Sequence, residues 1–185
     1  MINDPRYKSI GKLIKSGNIK SIVQVFELIP ITAIRNDSNI HYETLRKRVL
    51  KPETFKLDEL VILAELFNIS VTDFVAMVLD EIKEIHSIFA KQKIASSKDH
   101  RYKSIGILIK SGEIKRLKDI FNMISKKAVR DDSGIIHATL HRKIFKPGGF
   151  MISEMIVMAG LFEVQPLDFI SLALNDIKRP KTPRG

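Results

Sequence analysis

The chain has no cysteine among its 185 residues. That removes disulfides and cysteine-ligated metals and leaves the redox compartment open. It has no long apolar run either. The most apolar stretch, Leu60 to Ala64, falls far short of the ~20 residues a membrane helix needs. No basic-then-apolar leader opens the chain, because MINDPRYK turns charged at once, so the expectation is a soluble, cytoplasmic protein. Acidic residues are the minority, 21 against 31 lysines and arginines, for a net charge of +10. Such an excess favours an anionic partner, nucleic acid ahead of an acidic membrane surface, and says nothing about fold.

What the chain does have is an internal duplication. Arg6 to Lys83 recurs as Arg101 to Lys178, shifted by 95 positions without an insertion, with about 34 of 78 aligned positions identical. The openings nearly coincide: RYKSIGKLIKSGNIK at Arg6 becomes RYKSIGILIKSGEIK at Arg101. The repeat is longer than a solenoid unit of about 20–50 residues and reads as a whole small domain present twice. The expected division is residues 1–94, a linker at 95–100, residues 101–178, and a basic tail at 179–185.

Strand signals are weak, whereas helical spacing recurs. Ile10, Leu13 and Ile14 form an i, i+3, i+4 stripe that stops at Ser16-Gly17; Ile22, Val25, Phe26 and Ile29 form another, ended by Pro30. Leu60, Val61, Ala64 and Phe67 make a third, and Phe74, Val75, Val78, Leu79 and Ile82 a fourth, opened by a capping pattern at Ser70 and Asp73. Each repeat therefore predicts about five short helices, in an all-α class. The aromatics at 26, 55, 67 and 74 recur at 121, 150, 162 and 169 with apolar spacing, which marks them as core rather than as a base-stacking platform.

The segment most suited to function is TAIRNDSNIHYETLRKRVLKP from Thr32, matched by KAVRDDSGIIHATLHRKIFKP from Lys127. A short helix ends near Asp37. A tight turn follows at Ser38-Asn39 in one copy and Ser133-Gly134 in the other, and the Asn-for-Gly exchange suits a left-handed backbone position. Ile40 or Ile135 comes next, then a second helix anchored by Leu45 or Leu140.

On these residues both copies resemble the lambda-repressor-like (XRE-type) helix-turn-helix domain. The resemblance covers roughly 70 residues of each repeat. It extends through a proline loop (Lys51-Pro52; Lys146-Pro147), a following helix (Leu57 to Phe67; Ile152 to Phe162) and a break into the last helix (Asn68-Ile69-Ser70; Glu163-Val164-Gln165). It implies two tandem DNA-binding domains of about five helices each, joined as an intrachain pseudo-dimer. Two departures are shared by both copies. Arg35 and Arg130 stand where the family prefers alanine, and Ser38 and Ser133 where it prefers an aliphatic residue; Ala33 and Ala128 are then the candidates for the close helix approach.

The resemblance further implies double-stranded DNA as partner. Base-edge readers would be His41, Tyr42, Glu43, Arg46 and Lys47 in the first copy, and Ile136, His137, Ala138, His141 and Arg142 in the second. Arg48 and Lys51, with Lys143 and Lys146, fall where the chain would leave the groove and are expected on phosphates. Thr32 and Lys127, at the start of the preceding helix, are further phosphate candidates. No cofactor is implied. The His137-x-x-x-His141 spacing suits a metal on a helix, but it lacks the intervening glutamate and a third ligand, and the other copy has Tyr42 and Arg46 there. No nucleophile–base–acid set recurs, and Lys146-Pro147-Gly148-Gly149 lacks the residues of a phosphate loop. The reading is a non-enzymatic, sequence-specific DNA-binding regulator with two non-identical half-sites.

The alternative is a protein-interaction module on the same scaffold, antitoxin-like or an assembly adaptor. Ile136, Phe145 and a helix seam from Val78 through Ile82 and Ile85 to Phe89, a surface for self-association or a protein partner, point that way.

Overall fold

The computed structural model describes residues 4–89 and 100–177, and these fall into two compact units, one in each stretch. Residues 95–99 of the expected linker at 95–100, and the tail at 179–185, lie outside the described residues. Both units are all-helical. The first comprises α1 (Pro5–Lys15), α2 (Ile22–Leu28), α3 (Ile31–Ser38), α4 (Tyr42–Leu50), a 3-10 turn at Pro52–Thr54, α5 (Leu57–Leu66) and α6 (Val71–Phe89). The second comprises α7 (Arg101–Lys110), α8 (Leu117–Ile120), α9 (Lys126–Ser133), α10 (His137–Phe145), a 3-10 turn at Pro147–Gly149, α11 (Ile152–Leu161) and α12 (Pro166–Leu174). Among the described residues each unit thus has six α-helices rather than about five. The apolar stripe at Ile22–Ile29 and the segment before the turn are separate helices, broken by extended backbone at Ile29 and Pro30.

Local chemistry sets the helix ends. Pro5 occupies the first turn of α1 and the Asp4 carboxylate accepts the Arg6 N–H at 3.0 Å, satisfying a donor the helix cannot. At the other end Gly17 and Gly112 take φ of 73° and 77°, the left-handed geometry that closes α1 and α7. Ser70 Oγ accepts the Asp73 N–H at 3.0 Å, so α6 starts where the capping pattern placed it.

The core of the first unit lies between α5, α6 and the elements they cover. Phe55, Phe67 and Phe74 are fully buried, as are Phe150, Phe162 and Phe169 in the second unit. Phe67 packs at 5.8 Å from the Tyr7 ring and 5.7 Å from Phe74; Phe162 lies 5.0 Å from Tyr102 and 5.3 Å from Phe169. Phe26 and Phe121 are only half-buried and Leu13 is exposed, so three residues of the expected core lie at its rim.

Two contacts hold α1 and α7 in place. A Cβ on Gly11 would lie 1.9 Å from the Phe67 carbonyl oxygen, and on Gly106 2.0 Å from that of Phe162, so only glycine allows this approach. Beside it the buried Tyr7 hydroxyl donates to Asp37 at 2.6 Å, and Tyr102 to Asp132 at 2.7 Å. Each bond ties the first helix of a unit to the last turn of its third. Burial, with the Asp37 bond second, pushes the Tyr7 hydroxyl above its ordinary acidity range.

Val78 and Ile82 of the expected seam are buried within the chain, so that half is no free docking face; the side chains of Ile85, Ile88 and Phe89 lie outside the described residues. Among the described residues no single helix is long and apolar enough to cross a membrane.

Candidate nucleic-acid interface

In each unit two short helices are joined by a turn built from side chains as well as backbone. Asn39 and Gly134 take φ of 57° and 71° and return their N–H to the carbonyls of Arg35 and Arg130. Ser38 Oγ accepts the Ile40 N–H at 3.1 Å, and Ser133 Oγ that of Ile135 at 3.3 Å. The serines, which depart from the aliphatic residue expected there, therefore bond across the turn. Ile34, Ile40 and Leu45 are buried on the inner side, as are Val129, Ile135 and Leu140. Six apolar anchors thus fix which faces of α4 and α10 point outward.

On α4 and its ends, His41, Tyr42, Glu43, Arg46, Lys47 and Lys51 are exposed, as expected, and so is Thr32 at the start of α3. Among the described residues no carboxylate pairs with Arg46, Lys47 or Lys51. Glu43 lies in the first turn of α4, where the helix dipole favours an anion. In the second unit Ile136, Ala138, His141, Arg142 and Lys146 are exposed, together with Lys127 on α9. The His137 side chain lies outside the described residues.

Two expected phosphate contacts turn the other way. Arg48 Nε donates to Glu59 Oε2 at 3.0 Å, and Lys143 Nζ reaches both oxygens of Glu154 at 2.5 and 2.7 Å. Their side chains are 17% and 7% exposed, so neither charge faces outward. The reason is helical: each sits three residues after the buried leucine and shares its side of the helix. The same carboxylates accept the N–H of Lys56 and Met151 at 2.9 and 2.8 Å. Each glutamate therefore caps α5 or α11 while gripping the preceding helix. Arg48 and Lys143 are positioning residues of the fold.

The structure places further residues beside the expected DNA contacts. Arg35, Asn36, Asn39, Ile40 and His41 line an open notch of about 340 Å³ beside the turn. Arg35 donates to the neutral Asn36 Oδ1 at 3.0 Å, whereas its counterpart Arg130 is paired with the Asp131 carboxylate. The first turn thus keeps a cation that the second neutralises. Arg35 is exposed and Arg130, Ala33 and Ala128 are half-buried. Leu50 and Phe145, the last residues of α4 and α10, are 73% and 67% exposed. His141 lies 5.1 Å from the Phe145 ring, and Lys126 Nζ 5.2 Å above it. Leu50 and Phe145 follow the leucine anchor by five residues, off the buried side, which is the sequence signal that locates them.

Among the described residues no group of three or more histidine, aspartate or glutamate side chains is placed to hold a metal. Compared with protein-family models, with curated proteins and with solved structures, the chain gives no match.

Proposed function

We propose that the chain is a sequence-specific double-stranded DNA-binding protein, acting as a transcriptional regulator. Each unit is then a lambda-repressor-like helix-turn-helix domain, with α4 and α10 as the reading helices. One observation carries this proposal: α4 presents Arg46 and Lys47, and Lys51 at its end, outward and without a carboxylate partner among the described residues, on the helix that follows a buried-anchor turn. A helix of this kind fits the major groove, where Arg reads guanine and Glu accepts from cytosine. Lys51, Lys146, Lys127 and Thr32 serve the phosphates.

Duplication supplies two readers in one chain. Tethering makes the second docking intramolecular and raises its effective concentration without self-association. Of the residues from His41 to Leu50, only Thr44 and Leu45 are identical to their counterparts, so the expected site has two unlike halves. Selection from a random duplex pool with the full chain tests this reading. Asymmetric sequences should be enriched, and affinity should fall steeply with salt as phosphate counterions are released. Enrichment of perfect palindromes would contradict the asymmetric site.

The second reading is a protein-interaction module, favoured by the exposure of Ile136, Phe145 and Leu50. Salt-insensitive association with a protein and no retention of duplex DNA would select it.

A further inference from the structure

Resting on the DNA-binding reading, we infer that the second unit reads thymine 5-methyl groups through Ile136 and Ala138, so that its half-site is defined by thymines rather than by guanine contacts.

The two reading helices differ at their N-terminal ends, the part that reaches base edges. The first offers His41, Tyr42 and Glu43, then Arg46, and each of these carries a hydrogen-bonding group. At the matching positions the second offers Ile136, His137, Ala138 and His141. Ile136 is 74% exposed, the most exposed large apolar residue among those described, and it stands at the N-cap of α10. Ala138 is exposed in the first turn of the helix. An isoleucine left in water at a helix start loses the stabilisation of burial, and neither residue forms a hydrogen bond through its side chain.

In the major groove the one apolar group is the thymine methyl, and alkyl side chains are its complement. The surroundings favour a polyanion over an apolar protein surface. Lys127, Arg142 and Lys146 are exposed in the same helix pair, and among the described residues none has a carboxylate partner. Arg142, the remaining reading candidate, is the one residue of this face with the fork that suits guanine. The second unit therefore carries two methyl-seeking side chains for one guanine-seeking one.

The test uses a chemical change confined to that methyl. A random-sequence duplex pool is enriched on the full chain, then copied once with thymidine and once with deoxyuridine triphosphates, and binding of both copies is titrated. Two chains are compared: wild type and the double variant Ile136→Ser, Ala138→Ser, whose altered side chains are both exposed; circular dichroism and thermal melting check its fold. The expected result is that wild type binds the deoxyuridine copy weaker by about fourfold for each contacted methyl lost, as follows from burial of one carbon. The variant should bind both copies nearly alike. Equal wild-type affinity for both copies overturns the inference and leaves DNA binding standing. Full discrimination surviving in the variant overturns it too, because the methyl would then be read elsewhere. Failure to enrich any duplex removes the DNA-binding reading itself, and this inference with it.

Discussion

The two units keep the same interior and differ on the same surface. Both seat a glycine under the last carbonyl region of the fifth helix, both bond a buried tyrosine to an aspartate 30 residues on, and both lock the helix after the turn, α4 or α10, to the next one through an ion pair. The pair survives a change of cation, Arg48 in one and Lys143 in the other, because the carboxylate of Glu59 or Glu154 is fixed by a backbone N–H as well. Outside this frame the units part. The first turn holds an arginine beside a neutral amide where the second pairs it with Asp131, and from His41 to Leu50 only Thr44 and Leu45 match their counterparts. The frame sets where the helix points; the outward residues are free to set what it meets.

A second difference has a local cause. α2 spans seven residues and α8 four. Two groups cap α2: Ser21 Oγ accepts the Gln24 N–H at 3.3 Å, and the Glu81 carboxylate accepts the Ile22 N–H at 2.8 Å. In the second unit Arg116 replaces the serine and makes no cap bond, and Asp176, one methylene shorter than Glu81, lies 3.8 Å from Arg116. Losing a side-chain cap costs about 1 kcal/mol, enough to shorten a marginal helix.

The largest effect that sharpens the comparison should come from the buried pairs. Arg48→Met or Lys143→Met leaves a glutamate with its charge partner gone, at a cost of about 3–5 kcal/mol, read by denaturant unfolding. The loss should appear in the mutated unit's amide exchange and leave the other unit's protection unchanged. A variant that keeps full stability but loses DNA affinity would return these cations to the phosphate role. Next comes Gly106→Ala, whose methyl meets backbone rather than a movable side chain. It should cost at least about 3 kcal/mol, the upper end for overpacking, and Gly11→Ala should do the same to the first unit.

A smaller, pH-dependent effect should distinguish the units at Glu81. Burial pushes its carboxyl above the usual range, against the lowering effect of the Ile22 N–H. The folded chain therefore holds this proton to higher pH than the unfolded chain does. Stability falls as pH rises through the window just above the ordinary glutamate value, and the loss persists at neutral pH. Glu81→Gln keeps an acceptor for Ile22 and should flatten that window, raising neutral-pH stability of the first unit. Unchanged pH dependence would contradict the assignment.

Local patterns made much of the frame legible. Apolar positions three and four residues apart gave the all-helical class, an apolar anchor after the turn gave the burial of Leu45 and Leu140, and the Asn39–Gly134 exchange marked the left-handed turn. Contacts between distant residues were not legible. The need for Gly11 comes from a carbonyl at Phe67, and the inward turn of Arg48 from a carboxylate eleven residues on. Read by charge alone, Arg48 and Lys143 looked like surface cations. Of the sixteen residues singled out for DNA, these two are committed inside the fold, and Arg35 joins the exposed cations beside α4.

The most direct measurement is the affinity of Arg46→Ala for a selected duplex and for a random one, with Lys51→Ala alongside. Base reading by α4 predicts that Arg46→Ala loses about 1–3 kcal/mol on the selected duplex and little on the random one, while Lys51→Ala weakens both alike. Equal losses on both duplexes for Arg46→Ala would contradict it.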